Sequence, residues 1–82
     1  MYAFPSQIAA VLEGIFAEEA SLVNLLSYVG DHYEHCFHDC ASLMALKVVI
    51  GDSDQWRSHA FKYICGSVPA EAVIEFASVY KS

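Results

Sequence analysis

The feature that most constrains this chain is its punctuation. Residues that stop one helix or cap the next cluster at Pro5-Ser6, Gly30-Asp31, Gly51-Asp52-Ser53-Asp54 and Gly66-Ser67-Val68-Pro69. Between these points apolar residues return every three or four positions, the period of a helix face. Ile8, Val11, Leu12, Ile15 and Phe16 start such a stripe, and Leu22, Val23, Leu26 and Val29 continue it. The pattern predicts helix over 6–29. Gly14 weakens its middle by about 1 kcal/mol relative to alanine. Glu18-Glu19-Ala20-Ser21 offers a break near 17–21, with Ser21 capping a second piece, and the pattern fits one long helix or two short ones.

The next segment reads as helix over 31–49. Asp31 is its expected N-cap, and Glu34 three residues on completes a pair resembling a capping box. Tyr33, Cys36, Phe37, Cys40, Leu43 and Met44 form the expected inner stripe. Asp31, Glu34, His35, His38 and Ser42 face the other way. Val48, Val49 and Ile50 are β-branched, but a lone strand has no partner here, so the helix runs to about Val49 and Gly51 ends it. A third helix over 53–65 turns Trp56, Ala60, Tyr63 and Ile64 inward, with Gly66 just past its end. The fourth, over 69–80, opens on Pro69 and carries Glu71 at the positive end of its dipole. There Ala70, Val73, Ile74, Ala77 and Tyr80 share one stripe, and Phe76 and Val79 fall outside it. A terminal helix apolar over most of its circumference needs burial on two sides, and the second side can be another chain. The expected fold is all-α: one domain over 1–82, a compact bundle of four to five short helices.

Size sharpens that reading. A domain of 82 residues buries only about 60% of the surface its unfolded chain exposes. Yet 56% of its residues are apolar, above the roughly 45–50% of ordinary globular chains. The excess predicts apolar surface left exposed on the monomer, the usual mark of an interface. A membrane helix needs about 18 uninterrupted apolar residues. The best run, Ala41 to Ile50, is broken by Ser42 and Lys47. The N-terminal residues lack the basic stretch of a signal peptide. Three cysteines, an odd number, suit reduced thiols in a cytoplasm better than the paired disulfides of a small secreted domain.

Charge is unevenly placed. Residues 1–46 carry six acids and no base, whereas Lys47, Arg57, Lys62 and Lys81 all lie later, against four acids. A field of that sign disfavours nucleic acid and anionic membrane, because phosphate binding needs clustered cations. It suits a protein partner with a basic surface. A solvated acidic face that keeps an apolar chain soluble explains the same residues.

The densest polar cluster spans His32 to Cys40 and includes His32, His35, Cys36, His38, Asp39 and Cys40. On one continuous helix His32, Cys36 and Cys40 would lie at i, i+4 and i+8, and neighbours at that spacing can share a metal. The outer two would be about 12 Å apart by helical rise, too far for joint coordination. A metal- or redox-responsive sensor on these three residues is the alternative reading, although core cysteines with surface histidines account for them without a metal. No cofactor is implied, and no enzyme: cysteines on an apolar helix face in an acidic segment have raised thiol pKa values and low reactivity. The Gly51–Asp54 turn lacks the further oxygen ligands of a calcium loop. Trp56, Arg57, His59, Lys62 and Tyr63 read as core aromatics with snorkelling bases rather than a nucleic-acid face. A nucleic-acid mimic occupying a DNA-binding protein is a further alternative, thinly supported by ten acids of which four are offset. The leading expectation is a protein-binding module (regulator, inhibitor or adaptor), with Tyr2, Phe4, Phe76, Val79 and Tyr80 as anchors and a homodimer as the simplest assembly.

Overall fold

The computed structural model describes residues 6–51 and 53–80. Five helices follow one another: α1 (Ser6–Ala17), α2 (Glu19–His32), α3 (Phe37–Ile50), α4 (Ser53–Ser67) and α5 (Ala70–Tyr80), with a 3-10 turn over Glu34–Cys36 between α2 and α3. No described residue lies in a strand, and the fold is an all-α bundle of short helices.

The first stripe is two helices. Glu18 is extended, at φ −124° and ψ 124°, and its carbonyl accepts the first α2 bond from Leu22 N–H at 3.1 Å. Ser21 donates its hydroxyl to the Glu18 carboxylate at 3.2 Å, so the acid is the cap residue and the serine its helper.

The second break is not where the sequence put it. α2 runs through Gly30 and Asp31 to His32, and the chain turns at Tyr33, extended at φ −127° and ψ 97°. Asp31 is therefore in the last turn of α2, not the N-cap of α3. Gly30 serves close packing instead of stopping the helix: a Cβ there would stand 3.4 Å from the Cβ of Cys40 and 3.9 Å from the Cα of Phe37. A small residue lets two helices approach. The Tyr33 N–H still reaches Val29 O at 2.8 Å, and Cys36 N–H reaches Tyr33 O at 2.8 Å, so the turn leaves these donors satisfied.

Gly51 ends α3 as expected. Its φ of 70° is left-handed, and its N–H bonds to Lys47 O at 3.1 Å. Gly66, expected just past α4, is helical, because α4 continues to Ser67.

One core joins all five helices. α1 contributes Ile8, Leu12 and Ile15, α2 contributes Leu22, Leu25, Leu26 and Val29, and α5 contributes Ala72, Val73 and Phe76. Trp56 of α4 is fully buried beside Ala60 and Ile64, and its indole N–H donates to the Leu43 carbonyl of α3. That bond satisfies the one polar atom of the largest core side chain. Cys36 and Cys40 are buried as expected. The radius of gyration, 11.7 Å, matches the roughly 12 Å expected for a compact chain of this length. Apolar side chains left outside are therefore not the product of a loose core.

Candidate protein-docking surface

Helix α3 lies against α2 on one side and α4 on another. Its inner side buries Cys40 and half-buries Leu43, Met44 and Leu46. Its outer side is unusual for a helix of an acidic protein. Phe37 is 52% exposed, Val48 84% and Val49 81%, and Ala41 and Ala45 between them are exposed too. At about 100° per residue these five side chains share roughly 120° of arc, over about 18 Å of helix. His38 and Ser42 are the polar residues among them. The charged residues of α3, Asp39 and Lys47, fall off this arc. Lys47 turns inward, where its Nζ meets Glu19 Oε2 at 2.9 Å and stands 5.9 Å from the centre of the Trp56 ring.

A depression of about 140 Å³ adjoins this face, where Phe37, Ala41 and Met44 of α3 meet Leu26, Ser27 and Gly30 of α2, with the exposed Asp31 also in its lining. The absent side chain of Gly30 helps to open it. The surface therefore offers a ridge of valines at one end, small residues in the middle, and a phenylalanine beside a notch at the other.

The sequence placed Phe37 on the inner stripe, and the structure corrects this. The 3-10 turn sets the phase of α3 so that Cys36 and Cys40 point in, and Phe37, one residue round from Cys36, points out. The expected anchors fare differently. Tyr2 and Phe4 lie outside the described residues. Phe76, expected at an interface, is 3% exposed and belongs to the core. It stacks on Tyr80 at 4.8 Å and meets the Tyr28 ring edge-to-face at 5.8 Å. The stripe assigned to the last helix is thereby rotated: Ala72, Val73 and Phe76 face in, while Ile74, Val79 and Tyr80 stay exposed. Val79 and Tyr80 are surface residues of α5 and no part of the α3 face.

The His/Cys cluster does not assemble as one stripe. His32 ends α2, Cys36 lies in the 3-10 turn and Cys40 in α3, so the continuous helix that would space them is absent. His32 is exposed, stacks on Tyr28 at 4.0 Å and hydrogen-bonds the Tyr28 carbonyl through Nδ1 at 2.9 Å. Burial pushes the Cys40 thiol up to about 11, with the neighbouring Cys36 adding to the shift, so it stays protonated at neutral pH. Burial likewise raises Tyr63, which hydrogen-bonds Cys36. Among the described residues no group of three or more His, Cys, Asp or Glu is placed to hold a metal ion. No described helix is long and apolar enough to cross a membrane.

No family model matches the sequence, and no curated protein or solved structure is significantly similar to it.

Proposed function

We propose that the chain is a small helical protein-binding module that docks through the outer face of α3, and that its first partner is a second copy of itself. The observation that carries this reading is the exposed, uncharged apolar arc of Phe37, Ala41, Ala45, Val48 and Val49. A folded monomer gains nothing by leaving two valines almost wholly in water, and contiguous apolar patches of this kind mark interaction sites.

Its residue order favours self-pairing. Two α3 helices packed antiparallel through their outer faces, about a twofold axis level with position 43, place Phe37 of one protomer opposite Val49 of the other, and Ala41 opposite Ala45. Bulky ends meet bulky ends, and small residues let the backbones close in the middle. Closed twofold pairing is the commonest assembly of soluble chains. The charge pattern agrees: a chain of net charge −6 meets its copy most easily through a face without charges. A module of this kind acts as a regulator, inhibitor or adaptor by occupying or joining partners. The three free cysteines suit a reducing compartment such as the cytoplasm.

An amide NMR dilution series tests the reading. The expected result is concentration-dependent shifts confined to residues 37–49 and the adjoining α2 residues Leu26 and Gly30. Spectra unchanged from micromolar to millimolar concentration sink the self-pairing, and shifts confined to α5 move the interface to Val79 and Tyr80.

A further inference from the structure

A second apolar surface is formed without α3, between α1 and α4. The two helices touch through Phe16 and Phe61, whose rings stand edge-to-face at 5.3 Å. Beside this contact runs an open groove of about 550 Å³. Its walls are apolar: Ala9, Leu12 and Phe16 of α1, and Phe61 and Cys65 of α4. Phe61 is 51% exposed, so half of a large aromatic side chain is left without cover. Along α4 the lining runs from Asp54 to Cys65, about 16 Å by helical rise, or roughly three turns.

Both walls are helices. Their backbone groups are paired within each helix, so the groove offers no edge to which an extended segment could hydrogen-bond. An incoming helix brings its own backbone bonds and lays one apolar stripe between the other two. A groove of about three turns takes side chains at i, i+4, i+7 and i+11 of that helix. The charges beside the groove choose its flanks. Glu13 of α1 and Asp54 of α4 are exposed acids, one on each wall. Arg57 also lines the groove, but it is half-buried and its Nε–H is closed to solvent. The exposed charge is therefore mainly negative, in a chain of net charge −6. The outer face of α3 carries no base to set against these acids, so a second copy matches the groove poorly. We infer that the α1–α4 groove receives an amphipathic helix of a different protein, apolar along about three turns and basic on its flanks.

Cys65 supplies a local readout. Cys36 and Cys40 are buried, whereas Cys65 is half-buried and lines the groove. The test titrates the full chain, at micromolar concentration, with two labelled peptides of about fifteen residues. Both carry leucine at i, i+4, i+7 and i+11 on an alanine background, and their flanks are lysine in one and glutamate in the other. Fluorescence anisotropy reads binding, and the rate at which a thiol reagent modifies Cys65 reads its place. The lysine peptide is expected to saturate one site, to protect Cys65, and to bind about tenfold more tightly than the glutamate peptide. Phe61→Ala is expected to weaken it by about fivefold or more, because half of a phenylalanine is the area the peptide would cover, with circular dichroism unchanged. Glu13→Gln combined with Asp54→Asn is expected to cut the preference for lysine over glutamate by about threefold. Val49→Lys is expected to bind the lysine peptide like the unaltered chain, which keeps this site separate from the α3 surface. Absence of saturation, equal affinity for the two peptides, binding that leaves Cys65 unprotected, or full affinity in Phe61→Ala overturns the inference. So does protection of Cys65 on simply concentrating the Val49→Lys chain, which would give the groove to a second copy.

Discussion

Replacing Val49 by lysine separates docking from folding. Val49 is 81% exposed, so in the free chain a lysine at this position keeps its ammonium in water. Exposed substitutions of this kind stay within about ±0.5 kcal/mol. Lysine is also the better helix former, and the position is in the last turn of α3, where the dipole favours a cation. The Tm is therefore expected to hold within about 4 °C, or rise slightly. The dimer responds differently. Full burial of a valine side chain is worth about 1.5 kcal/mol at the low end. Four fifths of that is still available at Val49, or about 1.2 kcal/mol per copy and about 2.4 kcal/mol for the twofold pair. That converts to a rise in Kd of about fiftyfold, before any cost of drying two ammonium groups, which only adds. Sedimentation equilibrium over a micromolar-to-millimolar series reads both species. The unaltered chain is expected to climb from 9.0 kDa towards twice that mass, and the variant to lag by at least the stated factor. A chain that remains a 9.0 kDa monomer at about 1 mM refutes self-pairing. A variant that dimerises as tightly as its parent refutes α3 as the interface.

Other expectations follow from single observations. Gly51→Ala forces a side chain into φ 70° with no atom nearby to clash, so the cost is conformational, about 1 kcal/mol, and thermal denaturation is expected to show a drop of roughly 4–8 °C. Gly30→Leu drives a side chain against Cys40 and Phe37 and is expected to lose about 1–3 kcal/mol in urea denaturation, whereas Gly30→Ala, whose Cβ just reaches contact at 3.4 Å, stays near neutral. Trp56→Ala removes the largest buried side chain and strips Leu43 O of its indole donor, and a loss of about 3–5 kcal/mol should leave far-UV circular dichroism largely unfolded at 37 °C. Alkali acts through several raised acids, Tyr28, Tyr63 and Cys65 among them; burial first, then Cys36, lifts Cys40 from 9.0 to about 11, and burial first, then the hydrogen bond to Glu75, lifts Tyr33 from 10.0 to about 12. Cys40 and Tyr33 both hold protons longer when folded, so their contribution is complete below about pH 9 and disappears as pH climbs from 9 to 12. The urea midpoint is expected to fall through that window, and a midpoint unchanged up to pH 11 contradicts the assignment.

Much of the fold was legible because the deciding forces are local. Helical periodicity marked Ile8, Leu12, Ile15, Leu22, Leu26, Trp56 and Ile64 as core, and the structure buries all of them. The left-handed stop at Gly51 follows from the one residue type that adopts it freely. The misreadings arise where a tertiary contact overrides a local preference. Gly30 looks like a stop in sequence, but its lack of a side chain is used against Cys40 across a helix pair. That moves the break from Asp31 to Tyr33, whose hydroxyl is held by Glu75 of α5 at 2.8 Å, forty-two residues away. The shifted break resets the phase of α3, and the surface changes with it: Phe37 leaves the core and joins Val48 and Val49, which the sequence reading placed in the helix but on neither face, in one exposed apolar arc. An apolar excess in composition says that such a face exists. Only the phase of the helices says where.

The charge pattern shows the same gap between sequence and space. All bases follow residue 46 and the net charge of the earlier residues is −6, as if the chain had an acidic half and a neutral one. The fold mixes them, since Lys47 at the end of α3 pairs with Glu19 at the start of α2. The half-exposed pair itself adds little to stability. Its effect on the surface is larger. With Lys47 drawn inward and Asp39 off the arc, the outer face of α3 keeps no charge, although the helix belongs to a strongly anionic chain. Beyond about 8 Å, physiological salt screens the remaining acids. Along about 18 Å of α3 two such chains then meet through uncharged side chains, with Asp31 the nearest acid at the Phe37 end. Raising the salt is expected to strengthen the self-association modestly, because the residual repulsion is screened and the apolar contact is not. Weakening with salt would show that ion pairs hold the dimer and that the neutral face of α3 does not.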